Sequence, residues 1–161
     1  MIDKNYEDYN CGGFAFGTYE WYFPYDWWQT REDSAFDLFS NGKTAKEIQE
    51  IFLEEEFETI LEDFKGRIHF IEDWRDASPR DRVICYRNCV CIREENEEEI
   101  YVATDYHFKV RINGKWYEKR GEEAPRPCDL DEDSPWVLNS DIIYDSENIY
   151  FILDEEWKFE K

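Results

Sequence analysis

Between residues 44 and 66, apolar side chains return at helical spacing: Ile48, Ile51 and Phe52, then Phe57, Ile60, Leu61 and Phe64. Ahead of them Thr44 and Glu47 stand at the spacing of a capping box, and Gly66 supplies a stop. The pattern predicts a helix from Thr44, broken near Glu54. Upstream, Asn10 is placed to cap a helix that begins at Cys11 and is bounded by Pro24, and residues 34–39 read as a short helix ending before Asn41 and Gly42. After a turn signal at residues 76–81 the chain turns rich in β-branched and aromatic residues. Strands are expected at 82–92, 100–104, 106–112, 115–119, 141–144 and 149–153. Helices first and an antiparallel sheet afterwards make an α+β fold. No repeat or linker divides the chain, so residues 1–161 are read as a single domain.

Asn113 and Gly114 form the dipeptide favoured in two-residue hairpin turns, because both central residues need positive φ. A turn there puts Lys109 opposite Glu118 and His107 opposite Arg120, so His107 and Glu118 share a sheet face as diagonal neighbours.

Charge changes the picture of the surface. With 40 acidic and 19 basic residues the formal charge is −21, yet 42% of residues are hydrophobic and 19% aromatic, too many for a disordered acidic tail. The expectation is a folded domain in an acidic coat, with Glu54–Glu56 on a helix surface and Glu97–Glu99 in a loop. Such a coat repels phosphate backbones, which argues against direct nucleic-acid binding. It favours a basic protein partner, including the positively charged groove in which a nuclease holds nucleic acid. The first residues carry no basic and apolar leader, and no apolar run reaches membrane-span length, so the expected location is the cytosol. Five cysteines, an odd number, suit reduced thiols there.

A cysteine attacks as thiolate, and a helix N-terminus favours that form by aiming backbone N–H groups at the sulfur. Cys11 has that predicted seat, with Gly12 and Gly13 beside it to admit a close substrate. Its alternative is a small buried hydrophobe. Only two histidines are available as base: His69 sits at a strand edge and reads as structural, whereas His107 lies on a strand that can face a helix N-terminus. Glu118 is placed either to orient His107 or to pair with Lys109, while Arg120 opposite His107 opposes protonation of the ring. Cys85, Cys89, Cys91 and Cys128 fit no standard zinc spacing and are read as buried thiols; no metal or other cofactor is implied.

Three segments carry a resemblance: Asn10-Cys11-Gly12-Gly13-Phe14-Ala15, then residues 81–87, then Asp105-Tyr106-His107-Phe108 followed by Gly114-Lys115-Trp116-Tyr117-Glu118-Lys119-Arg120-Gly121. In order and spacing, over roughly residues 9 to 121, they resemble a family of small phage and bacterial papain-like hydrolases of the NlpC type. The resemblance implies a papain-like fold, Cys11 as nucleophile and His107 as base. It also implies a polar third residue where that family has histidine and this chain has Glu118; Arg120 replaces the family's proline. The function expected is a cysteine-dependent amide hydrolase acting on a peptide or amide substrate. The alternative is a non-enzymatic, phage-encoded anti-defence protein that mimics nucleic acid in the basic groove of a host nuclease.

Overall fold

The computed structural model describes residues 5–25, 31–94, 99–139 and 142–154. The capping box forms as the spacing requires: Thr44 Oγ1 accepts from the Glu47 N–H at 3.1 Å, and Glu47 Oε1 accepts from the Thr44 N–H at 3.0 Å. The helix it opens, Ala45–Asp63, runs unbroken through Glu54 and is the third α-helix among the described residues. It is preceded by α1 (Cys11–Ala15) and α2 (Arg31–Ser40); the long one is α3. α1 is shorter than expected because the chain turns at Gly17, whose φ of +70° suits glycine and ends the helix.

Ile48, Phe52 and Ile60 of α3 are buried, and Glu56 lies on the same line, four residues from Phe52 and from Ile60. That corrects the surface position expected for Glu54–Glu56: Glu56 is 3% exposed. Of the second acidic cluster, Glu97 and Glu98 lie outside the described residues, and Glu99 is exposed.

Six strands form an antiparallel sheet in the order β1 (Ile68–Ile71), β8 (Ile149–Leu153), β2 (Arg82–Glu94), β3 (Ile100–Ile112), β4 (Lys115–Glu118), β5 (Arg126–Pro127). A separate pair joins β6 (Trp136–Asn139) to β7 (Ile142–Tyr144). The arrangement is α+β. β3 runs straight through Asp105, where two strands were expected, and β5 and β6 were not expected at all.

Period-two alternation sorts the two faces. Ile84, Tyr86, Tyr106, Phe108 and Val110 pack with α1 and α3. Val83, Cys85 and Cys89 face the other way, against Leu130, Trp136 and Tyr144. His107 and Lys109 share that second face, beside the Trp136 ring. The hairpin register is the one the turn dictates: Asn113 and Gly114 have φ of +51° and +82°, and Lys109 pairs with Glu118. Pairing stops there, so His107 gains no partner from β4 and Arg120 does not stand opposite it.

No described helix is long and apolar enough to cross a membrane.

Candidate functional site

Asn10 builds the start of α1. Its Oδ1 accepts from the N–H groups of Gly13 (3.1 Å) and Tyr22 (3.0 Å), and its Nδ2 donates to the Tyr22 carbonyl (2.9 Å) and the Tyr106 hydroxyl (3.0 Å). A side chain with all four bonds made is pinned, and it pins Cys11 next to it as the first helical residue. The two glycines serve the same end rather than a substrate. A Cβ on Gly13 would stand 1.8 Å from the Glu20 carbonyl oxygen, and one on Gly12 would stand 3.0 Å from the Tyr22 side chain, so the chain's own return loop fills the space. Tyr22 belongs to the core with Phe16, Phe64 and Phe108. Trp21 is 45% exposed, and Trp27 and Trp28 lie outside the described residues.

Cys11 is 7% exposed, and burial pushes its thiol up to about 12. The backbone N–H groups of Phe108 and Gly12 and the Lys119 ammonium pull the other way, while Asp105 adds to the rise. The thiol is therefore protonated at rest. The Phe108 contact locates the sulfur: β4 pairs with β3 only from Lys109 onward, so β3 has an open edge at Phe108, and α1 covers it.

His107 and Glu118 are joined directly. Nε2 lies 2.9 Å from Glu118 Oε1, and both side chains are at most 5% exposed. This decides the alternative left open by the sequence, because the Lys109 ammonium donates instead to the carbonyls of Asp129 (2.7 Å) and Leu130 (3.3 Å). Arg120, expected to oppose protonation of the ring, turns its guanidinium to Glu118 Oε2 at 3.2 Å. Burial raises the Glu118 carboxyl, but its bond to His107, the imidazole charge, Arg120 and Lys109 outweigh it and hold the group at about 2. A carboxylate on Nε2 leaves Nδ1 as the nitrogen that can carry a proton elsewhere. The ring is held flat as well: Tyr144 stacks on it at 5.4 Å and Trp136 meets it edge-on at 6.0 Å.

Two residues near this pair were missed by sequence reasoning. The Tyr144 hydroxyl donates to Asp105 Oδ2 at 2.8 Å, and burial raises the Asp105 carboxyl. Asp105 stands two residues from His107 on the same face of β3 and also acts on Cys11. An acid inside an otherwise β-forming run was the signal for it. Cys11 thus reaches the neighbour of His107 from the helix side, while the imidazole lies on the other face. Among the described residues no hydrogen bond joins the two.

The remaining candidates stand apart. His69 is exposed on β1. All five cysteines are free thiols; Cys85 and Cys89 are buried, and Cys85 Sγ lies 3.6 Å from Asn148 Oδ1. A cavity of about 320 Å³ opens beside Glu118, between Arg120, Arg126, Cys128 and Trp136. Compared with known protein families, with curated proteins and with solved structures, the chain matches none.

Proposed function

We propose that this chain is a papain-like, cysteine-dependent amide hydrolase with Cys11, His107 and Glu118 as its triad. The observation that supports it is the buried His107–Glu118 pair on the strand whose open edge receives the Cys11 sulfur. A carboxylate on one ring nitrogen fixes the tautomer and stabilises the cation that forms when the other nitrogen takes a proton.

Because the thiol is protonated at rest, deprotonation accompanies attack. The sulfur and the imidazole rest on opposite faces of β3, so for attack the sulfhydryl must leave the Phe108 amide and pass the open edge of the strand to reach His107 Nδ1, which takes the proton as the sulfur bonds to the amide carbon. The Gly13 N–H is held by Asn10, so the donors left for the oxyanion are the Gly12 and Phe108 N–H groups that the sulfur releases as it attacks. The C–N bond then breaks, the amine leaves with the proton from His107, and water hydrolyses the thioester with His107 again as base.

The test is alkylation by iodoacetamide near pH 7, located on each cysteine by mass spectrometry, in the wild-type protein and in His107→Ala. The expected result is slow, His107-dependent modification of Cys11, falling by about a hundredfold in the variant, the lower end of what a positioned base contributes. Modification of the partly exposed Cys91 and Cys128 should be unchanged. If Cys11 is silent in both proteins, or reacts equally in both, the hydrolase assignment fails.

A second reading, an acidic binder of a basic protein groove, is favoured by a different observation. Arg31, Arg82, Arg87, Lys109, Arg111 and Lys119 are all buried, so they do not offset the carboxylates at the surface. Its mark is binding that weakens steeply with salt and is indifferent to Cys11→Ala.

A further inference from the structure

A groove of about 570 Å³ runs between α3 and the strands β1 and β8, on the helix side of the sheet. Its floor is apolar: Leu53 and Phe57 come from α3, Phe70 from β1 and Ile149 from β8. Phe57 is tied to the core, stacking on Phe151 at 5.9 Å, and meets Phe70 edge-on at 5.1 Å. Phe70 itself remains 47% exposed, an unusual state for a phenylalanine within a cluster of rings.

The rim carries the opposite chemistry. Glu50 and Glu54 stand along the helix wall, and Asp145 and Glu147 along the facing loop, against a single cation, Lys46. Glu50, Glu54 and Glu147 are exposed, and among the described residues none of them makes an ion pair. The walls are braced: Gln49 Nε2 donates across the groove's end to Asp145 Oδ1 at 2.9 Å. Apart from Lys46, no Lys or Arg lines this rim among the described residues. Of the buried cations, Arg87 touches the groove only at Asn148, whose Oδ1 accepts from its Nε at 2.5 Å, and the others donate to backbone carbonyls or to Glu55 and Glu56, not to Glu50, Glu54 or Glu147.

From this we infer that the groove is a docking site for a basic peptide segment of a partner protein, in which an apolar residue seats on Phe57 and Phe70 and flanking Lys or Arg residues meet Glu50, Glu54 and Glu147. An apolar floor under an unpaired acidic rim is complementary to that composition. β1 adds a second reason to expect a peptide: it is an edge strand of the sheet, so its outer backbone groups have no strand partner among the described residues. The inference rests on neither functional reading above, and its test reads binding alone.

The probe is a short fluorescein-labelled peptide in which Leu and Phe alternate with Lys and Arg, followed by fluorescence anisotropy at physiological salt. Three changes should each weaken binding by about tenfold or more: the double variant Glu50→Lys/Glu54→Lys, the variant Phe70→Ser, and replacement of the peptide's apolar residues by Ser. A matched charge reversal on α2, Asp33→Lys/Asp37→Lys, alters the same net charge at exposed positions away from the groove and should leave binding unchanged. Circular dichroism checks that each variant is folded; Glu50 and Glu54 are exposed helix positions where lysine is well tolerated. The inference is overturned if the peptide does not bind, if the α2 variant weakens binding as much as the groove variant, or if the Ser peptide binds as well as the parent, since the last two outcomes mean the general acidic field does the attracting.

Discussion

Glu118 Oε1 sits 2.9 Å from His107 Nε2 across the β3–β4 hairpin, and its other oxygen faces Arg120 at 3.2 Å. One buried carboxylate therefore engages an imidazole with one oxygen and a half-buried guanidinium with the other. On α3 a second buried carboxylate, Glu56, is in the contrary situation, with Tyr86 and Asn88 donating to Oε1 at 2.7 and 3.0 Å and Arg31 3.4 Å from Oε2. Burial dominates there and pushes the group up to about 7.

Glu118 should make stability fall in acid. Its pKa in the folded chain, about 2, is below the ordinary 4.5, so its contribution is complete above 4.5 and is lost as pH falls toward 2. Urea denaturation across that window should show the loss in the wild-type protein and a flatter profile in Glu118→Gln. At neutral pH that variant should be less stable by about 1–3 kcal/mol, the usual cost of impairing a buried hydrogen bond to a charged group. A profile unchanged by the substitution would contradict the pair.

Glu56 should act with the other sign. Its folded pKa of about 7 exceeds 4.5, so the folded state holds a proton that the unfolded chain releases, and stability declines as pH rises from 4.5 through 7. The decline is on the order of 3 kcal/mol for a shift of that size. Glu56→Gln keeps an acceptor for Tyr86 and Asn88 and should remove most of the slope, which the same urea series carried to pH 8 would detect.

Gly13→Ala should be among the most damaging single-methyl changes in the protein. The new Cβ collides with the Glu20 carbonyl, which is backbone and cannot rotate away, and the Gly13 carbonyl also accepts from the N–H groups of Thr18 and Tyr19. A loss of about 3 kcal/mol, the upper end for overpacking, is expected in thermal or urea melts. Alkylation of Cys11 should rise as α1 loosens.

Lys119→Met tests how the segment before Cys11 is held. The ammonium, on a fully buried side chain, donates to the carbonyls of Tyr6, Tyr9 and Gly121. Removing the donor leaves those carbonyls without it, so amide exchange over residues 6–10 should speed up by about tenfold or more. Exchange in α3 should not change.

The parts of the site legible in the sequence were those encoded by short local rules. Asn113 and Gly114 demand one turn type, the turn fixes the register, and the register brings Glu118 to His107; Thr44 with Glu47, and Asn10, announce their helix starts in the same way. What stayed hidden was long-range. β5 and β6 are too short to show alternation, and their positions depend on the loops that Arg87 and Lys109 clamp through carbonyls of residues 129 to 144. Glu56 escapes a rule that assigns charge to the surface, although its spacing from Phe52 and Ile60 places it on the buried stripe. How far Cys11 would be enclosed, and so how strongly its thiol resists ionisation, depends on the return loop through Tyr22, which no local spacing announces.

Among the described residues six Lys and Arg are buried against two Glu, so folding withdraws more positive than negative charge from solvent. The shell that the described residues turn to water is thus more negative than their own formal charge, and the folded chain stores self-repulsion that its unfolded form, with every cation free among the carboxylates, relieves. Ionic strength then becomes a stabiliser. Raising salt from about 0.01 M to 0.15 M shortens the screening length from roughly 30 Å to 8 Å, quieting the shell while leaving the buried pairs almost untouched.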